Sequence, residues 1–193
     1  MKNFSEKYNT FFVHIPKNAG TSINTALEIP PENRGHRLPS ELEQLYVKEY
    51  TEANSIAVVR NPYDRVVSIY KYRKIKGYDR YLRKGYSFKE WLLHPKTPYV
   101  IGYMEWKNQI TMLRTPKDQK GVSDWNVKYI LRFENLEQEW QTLNENIFKG
   151  KLPQLQKLNQ TNSTDYDSYY DNECKEYIKT HFETDLIGLS YEL

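Results

Sequence analysis

Residues 16–22 have the residue types and the order best suited to binding a phosphate group. An apolar run at 11–15 is followed by a lysine, a glycine and two hydroxyl residues, where a helix is predicted to begin. Backbone N–H groups and the dipole at a helix start favour an anion there, and the lysine adds a positive charge. The sequence therefore predicts a phosphate-binding loop, made of Pro16, Lys17, Asn18, Ala19, Gly20, Thr21 and Ser22.

A second pair of residues suited to an anion lies further along the chain. Arg60 ends the apolar run 56–59, and Ser68 follows eight residues later. A planar guanidinium and a hydroxyl donor both suit a phosphate group. Asn61 can cap a helix that starts at Pro62, because proline has no N–H to lose at the first helical position.

The elements that must position these residues alternate between strands and helices. Runs of β-forming residues predict strands at 11–15, 56–59 and 127–133. Helical spacing predicts helices at 21–27, from 62 onward, at 100–113, 134–148 and 171–182. This alternation predicts an α/β fold with a central parallel sheet and helices on both faces. Ligands of such sheets bind beyond the carboxyl ends of the strands, so we expect Arg60 and the phosphate loop at the same edge.

Two serines, each followed three residues later by glutamate, predict the starts of further helices. Ser40 and Glu43 form the first such pair, and Ser87 and Glu90 the second. In this capping-box pattern each side chain bonds to the backbone N–H of the other residue. We expect the first of these helices to run to about Tyr50.

The two motifs together resemble those of a known enzyme family. HIPKNAGTS at 14–22 and RNPYDRVVSIY at 60–70 resemble the 5'-phosphosulfate loop and the 3'-phosphate motif of the sulfotransferase superfamily, in particular the Golgi carbohydrate sulfotransferases and their bacterial relatives. LRFENL at 131–136 and the stretch 158–178 resemble, more weakly, a later strand and the segment that closes over the nucleotide. Asn18 departs from the threonine common at that loop position.

The resemblance implies a donor, a product and a reaction. The donor would be 3'-phosphoadenosine 5'-phosphosulfate (PAPS), the product 3'-phosphoadenosine 5'-phosphate (PAP), and the acceptor a hydroxyl group, with a carbohydrate favoured. Lys17 would stabilise the charge that grows on the departing oxygen. Thr21 and Ser22 would hold the 5'-phosphate, and Arg60 with Ser68 the 3'-phosphate. No pair of acidic metal ligands accompanies the loop, so we expect no catalytic metal.

The sequence leaves open which residue accepts the proton of the acceptor hydroxyl. Bacterial members of the family resemble this chain in placing a histidine where His36 stands. The alternatives are a carboxylate such as Glu41, or a residue that is none of these. His14 lies at the first strand and is expected to pack or hydrogen-bond locally, while His94 and His181 are expected at the surface.

Other classes of function stay open at this point. A P-loop kinase is disfavoured because Lys17 precedes Gly20, and because Arg60 stands where a Mg²⁺-binding aspartate is expected. A non-catalytic nucleotide-binding module would keep the fold and bind PAP without turnover. A nucleic-acid partner is disfavoured by the net charge of only +3 and by aromatic residues that are not interleaved with basic ones.

The global properties of the chain suit a single compact enzyme. A length of 193 residues predicts one domain, residues 1–193. No apolar run approaches the length of a membrane span and residues 1–10 lack a signal-peptide core, so we expect a cytoplasmic protein without membrane insertion. Basic residues cluster at 71–84, either as a solvated helix face or as a rim that attracts an anionic acceptor. The oligomeric state is not predicted.

Overall fold

The structure, a computed structural model, describes residues 1–114, 125–156 and 165–191. It divides into two compact units. Unit 1 comprises Met1–Val59 and Thr111–Asn159, and unit 2 comprises Arg60–Ile110 and Gln160–Leu193. The expectation that residues 1–193 form one domain stays a prediction.

Unit 1 contains a four-stranded, mostly parallel sheet. Its strands are β1 (Phe4–Ser5), β2 (Thr10–Val13), β3 (Asn54–Val59) and β4 (Tyr129–Arg132), in that spatial order. β2, β3 and β4 are parallel, and β1 pairs antiparallel with β2. The three predicted strands and their parallel arrangement are confirmed, whereas the two-residue β1 was not predicted.

Helices flank this sheet, as the α/β pattern predicts. Those of unit 1 are α1 (Gly20–Ala26), α2 (Pro39–Leu45), α3 (Val47–Glu52) and α10 (Leu136–Asn146). Phe12, on one face of β2, belongs to a buried cluster with Ile23 of α1 and Trp140 of α10. Phe11 points to the other face, where its ring lies 5.0 Å from that of Tyr50 in α3. Successive residues of a strand face opposite sides, so one strand supplies both layers.

The predicted N-cap of this helix, Ser40, is wrong by two residues. α2 begins at Pro39, with Leu38 preceding it as the N-cap. Proline favours the first helical position because its φ is fixed, which leaves Ser40 inside the helix. The Leu38 N–H donates to the Glu41 carboxylate at 2.7 Å, so Glu41 and not Glu43 caps this helix. The helix also breaks at Tyr46 instead of continuing to Tyr50.

Unit 2 is built from helices. They are α4 (Pro62–Lys76), α5 (Arg80–Arg83), α6 (Phe88–Leu92), α7 (Thr97–Ile101), α8 (Tyr103–Trp106), α11 (Asn172–His181) and α12 (Glu183–Gly188), while α9 (Gln109–Leu113) spans a unit boundary. Residues 100–113, predicted to be helical, therefore form parts of three short helices. Trp91, Cys174 and Phe182 are fully buried in one apolar cluster of this unit.

Two of the predicted caps in unit 2 are confirmed. The Tyr63 N–H donates to the Asn61 side chain at 2.9 Å, immediately before Pro62 at the first position of α4. At α6, the Glu90 N–H donates to Ser87 Oγ and the Ser87 N–H donates to the Glu90 carboxylate. None of the helices in the described part of the chain is long and apolar enough to span a membrane.

Candidate active site

The predicted phosphate loop connects β2 to α1 and has an unusual backbone. Lys17 and Ala19 have φ values of 70° and 59°, in the left-handed region that non-glycine residues rarely adopt. Alternation of left-handed and ordinary residues is the geometry in which successive N–H groups form a concave anion site. Among the described residues, no side chain caps the start of α1. The loop therefore has the backbone expected of an anion-binding site.

The side chain of Asn18 anchors this loop to the neighbouring strand. Asn18 is fully buried, and its Nδ2 donates to the carbonyl oxygen of Val58 in β3 at 2.8 Å. This bond helps to hold the strained conformations of Lys17 and Ala19. Lys17 itself is half-buried, Pro16 and Ser22 are buried, and Thr21 is exposed. The position at which this chain departs from the family's threonine thus has a structural role.

His14 packs directly against the first residue of α1. A Cβ atom built on Gly20 would lie 1.7 Å from His14 Nε2, so only glycine leaves room for the imidazole. Burial, reinforced by the nearby positive charges of His36, Lys17 and Arg34, lowers the pKa of His14 to about 3. His14 is therefore neutral at physiological pH and packs locally, as predicted.

His36 is an exposed histidine held against the phosphate-loop strand. Its Nδ1 lies 2.9 Å from the carbonyl oxygen of His14, and the two rings are 4.1 Å apart between centroids. A carbonyl oxygen only accepts, so Nδ1 must carry the hydrogen. In the neutral ring the lone pair is then on Nε2, which is the arrangement that a general base requires.

The other candidates for the base have different surroundings. The Glu41 carboxylate accepts the Leu38 N–H at the start of α2. His94 is half-buried, and its Nδ1 accepts the Lys96 N–H at 3.1 Å. His181 is exposed, as predicted, and its ring is stacked parallel to that of Tyr177. Compared with these residues, His36 is both exposed and held in the tautomer that leaves Nε2 free to accept a proton.

In unit 2, Arg60 is buried beside the N-terminal turn of α4. Its Nε donates to the Asp64 carboxylate at 2.7 Å, and both side chains are almost completely buried. Asp64 and the buried Ser68 are four residues apart, so they lie on the same face of α4. The arrangement orients a guanidinium and a hydroxyl along one face of the helix, as a phosphate site would need.

Gln109 is the residue of this region that the sequence did not reveal. Its side-chain oxygen accepts the Arg60 N–H at 3.0 Å, and its Nε2 donates to the Arg60 carbonyl oxygen at 2.8 Å. The fully buried Asp185 accepts in turn from the Gln109 and Ile110 N–H groups, each at 2.8 Å. Burial raises the pKa of Asp185. Gln109 thus fixes the backbone of Arg60 from 49 residues away, a contact without a local sequence signal.

A sequence model described as the sulfotransferase family matches residues 3–186. The chain belongs to the sulfotransferase family. Neither a search of curated proteins nor a search of solved structures gave a significant match. The family predicted from the motifs at 14–22 and 60–70 is confirmed, and with it a role in sulfuryl transfer in general.

The predicted site residues of this sulfotransferase occur in both units. The phosphate loop and His36 belong to unit 1, while Arg60 and Ser68 belong to unit 2. Part of the weaker C-terminal resemblance, residues 158–164, lies outside the described residues. Within the described ranges, no group of three or more His, Cys, Asp and Glu residues could hold a metal ion. The individual roles of these residues and the absence of a catalytic metal stay predictions.

Proposed function

We propose that this sulfotransferase moves the sulfuryl group of PAPS to a hydroxyl group of a carbohydrate and releases PAP. The loop 16–22 would surround the 5'-phosphosulfate, and Arg60 with Ser68 would bind the 3'-phosphate. The residues fit such a donor, because the loop has the alternating left-handed backbone of an anion site and Arg60 is pre-oriented by Asp64.

Lys17 would act at the bond that breaks. As the sulfur leaves the bridging oxygen of the phosphosulfate, negative charge develops on that oxygen. A cation that is already in place stabilises this charge without reorganisation during the reaction. The left-handed conformation of Lys17 supports this role, since it holds the residue at a fixed point of the loop.

His36 would act at the bond that forms. The acceptor oxygen attacks the sulfur in line with the departing oxygen, and its proton passes to His36 Nε2. A new sulfur–oxygen bond forms on the acceptor, the bond to the phosphate oxygen breaks, and the proton ends on the imidazole. The hydrogen bond from Nδ1 to the His14 carbonyl oxygen supports this role, because it keeps Nε2 unprotonated in the neutral ring.

The observation that carries the proposal is the phosphate loop with its two left-handed residues in a chain of the sulfotransferase family. It is tested by incubating the full chain with PAPS labelled on sulfur and a panel of soluble oligosaccharides, small alcohols and phenols. We expect label to appear on oligosaccharides, and the Lys17→Ala variant to lose most of that transfer.

Three results would contradict the proposal in whole or in part. PAP binding without transfer to any acceptor would favour a non-catalytic module, whereas transfer of the terminal phosphate of ATP would favour a kinase. If label appears only on the phenols, the protein is a sulfotransferase but the assignment of a carbohydrate acceptor is wrong. Lys48→Ala, which removes an exposed lysine of α3, is the matched control for Lys17→Ala and should keep the transfer.

A further inference from the structure

A basic and aromatic surface of unit 2 lies beyond the C-terminal end of α4. An open cavity of about 630 Å³ in unit 2 is lined there by Tyr78, Arg80, Arg83, Lys96, Tyr99 and Val100. We refer to these six residues as the α4–α7 patch. Three of them are cations and none is acidic.

The sequence around the patch concentrates positive charge. Residues 71–96 hold nine lysines and arginines but two carboxylates, while the whole chain has 28 basic and 25 acidic residues. The remainder of the protein is therefore net acidic. The two carboxylates are also engaged: Asp79 is buried and accepts from the Tyr81 N–H and Trp91 Nε1, and Glu90 caps α6.

Most of the cations in this segment lack an acidic neighbour. Arg73 pairs with Glu105, and Lys89 pairs with Asp171 and Glu173. Among the residues that the structure describes, Arg83, Lys84 and Lys96 have no carboxylate within ion-pair distance, and Arg80 is held against Tyr81 instead. Their charges are directed to the solvent, where they can meet an external anion.

Exposed apolar side chains accompany these charges. Tyr99 is 85% exposed, Tyr78 62% and Ile75 74%. The ring of Tyr78 lies 6.0 Å from that of Tyr72, and Ile75 is one helical turn from Tyr72 on α4. Tyr72 therefore lies near both Tyr78 and Ile75. Exposed apolar side chains that cluster at a surface rimmed by polar groups, instead of standing singly, mark interaction sites.

The patch is separate from the proposed 3'-phosphate site. α4 has 15 residues, and at about 1.5 Å per residue it extends over roughly 20 Å. Arg60 precedes its first residue, and Tyr78 and Arg80 follow its last. An anion at the patch would therefore lie outside the proposed 3'-phosphate site.

We propose that the α4–α7 patch, together with Ile75, binds the surface of an anionic lipid bilayer. Lipid head groups would neutralise Arg80, Arg83 and Lys96, while Ile75 and the tyrosines would enter the boundary between head groups and acyl chains. Tyrosine favours that boundary because one end of its side chain is apolar and the other polar. A soluble polyanion would satisfy the cations but would leave Ile75 in water, so the bilayer accounts for both features.

The test measures sedimentation of the full chain with vesicles. Vesicles of phosphatidylcholine with about one-third phosphatidylserine should bind the protein, and pure phosphatidylcholine should bind it far more weakly. Each cation near a membrane surface contributes about fivefold in affinity, so Arg83→Ala and Lys96→Ala together should weaken binding about 30-fold. Lys48→Ala, which removes an exposed lysine of α3 in unit 1, is the matched control and should leave binding unchanged.

The apolar variants decide between a bilayer and a soluble polyanion. Ile75→Ser and Tyr99→Ser should each weaken binding to anionic vesicles several-fold, with the unfolding midpoint retained, because both side chains are exposed. If both variants bind as tightly as the parent chain while the cation variants do not, the patch is a purely electrostatic site and the proposal is wrong. Equal binding to neutral and anionic vesicles would also overturn it.

Discussion

Lys17 and His36 would act at opposite ends of the transferred group, so their losses should be distinguishable. Without Lys17 the leaving oxygen loses its charge partner, so Lys17→Ala should reduce kcat on the order of 10²-fold or more with every acceptor. Without His36 the acceptor keeps its proton. His36→Ala should therefore cost about 10²-fold to 10⁴-fold with an alcohol, and less with an acidic phenol that is already ionised. Turnover is measured with both acceptor types.

Glu41 is the alternative base, and one result of the His36→Ala measurement would favour it. If His36→Ala keeps near-normal turnover with an unactivated alcohol, His36 is not the base and Glu41 becomes the next residue to test. Glu41→Ala alone should act mainly on stability, because the Glu41 carboxylate accepts the Leu38 N–H at the start of α2. Loss of a helix cap costs about 1 kcal/mol.

The neutral state of His14 should make the stability of the fold depend on pH. Burial lowers the pKa of His14 to about 3, whereas in the unfolded chain it returns to about 6.5. Between these values the unfolded state binds the extra proton, so the free energy of unfolding should rise with pH, by at most about 1.4 kcal/mol per pH unit. The contribution of neutral His14 to the free energy of unfolding is therefore complete above about pH 6.5 and is lost as the pH falls towards 3.

Urea unfolding of the parent chain and of His14→Asn, measured from pH 4 to 7, isolates this contribution. The variant should show a shallower slope, because it carries no proton there. His181→Asn is the comparison variant, because partial desolvation lowers the pKa of His181 too, although this histidine is more exposed than His14. Parallel slopes for the parent chain and His14→Asn would refute the role assigned to His14.

At the scale of elements, α9 and α12 support the start of α4 through Gln109. Gln109→Met removes both hydrogen bonds to the Arg60 backbone and leaves buried groups unpaired, at about 1–3 kcal/mol each. The parent chain should prefer PAP over AMP by about 30-fold to 1000-fold, because a charged contact to the 3'-phosphate is worth roughly 2 to 4 kcal/mol. Gln109→Met should reduce this preference about tenfold without changing AMP affinity much.

Calorimetric titration with both nucleotides measures these preferences. Arg60→Ala should show the smallest preference for PAP over AMP, because it removes the guanidinium itself. Gln141→Met is the matched control, because the amide of Gln141 bonds only to Glu145 on an exposed face of α10 in the described structure. Equal affinities of the parent chain for PAP and AMP would contradict the assignment of the donor.

The contrast between Asn61 and Gln109 shows what a sequence can predict about such elements. The cap of α4 depends on neighbours in the chain, and the same holds for the β-forming runs of β2, β3 and β4, so all were predictable. Gln109 meets Arg60 only through the tertiary fold. The Ser40 cap failed for a different reason: two start signals compete there, and Pro39 with Glu41 takes precedence over Ser40 with Glu43.

For the molecule as a whole, the distribution of charge matters more than its sum. A net charge of +3 indicates little by itself, but residues 71–96 carry a concentrated excess of cations. The family match extends across 3–186 and thus includes this segment. The basic cluster was interpreted from the sequence either as a solvated helix face or as a rim that attracts an anionic acceptor. We propose a third interpretation, in which the cations and the exposed apolar residues orient the enzyme at an anionic bilayer.

The reaction of the whole enzyme should be independent of divalent metal ions. Lys17 and the backbone N–H groups of the loop would supply the positive charge at the leaving oxygen, a task that Mg²⁺ performs in phosphoryl transfer. Treatment with EDTA should therefore leave the rate of label transfer from PAPS almost unchanged for the parent chain. The Lys17→Ala variant should stay slow whether or not Mg²⁺ is added. If EDTA abolishes the transfer and only Mg²⁺ restores it, the loop alone does not neutralise the leaving group. That result would favour the kinase interpretation.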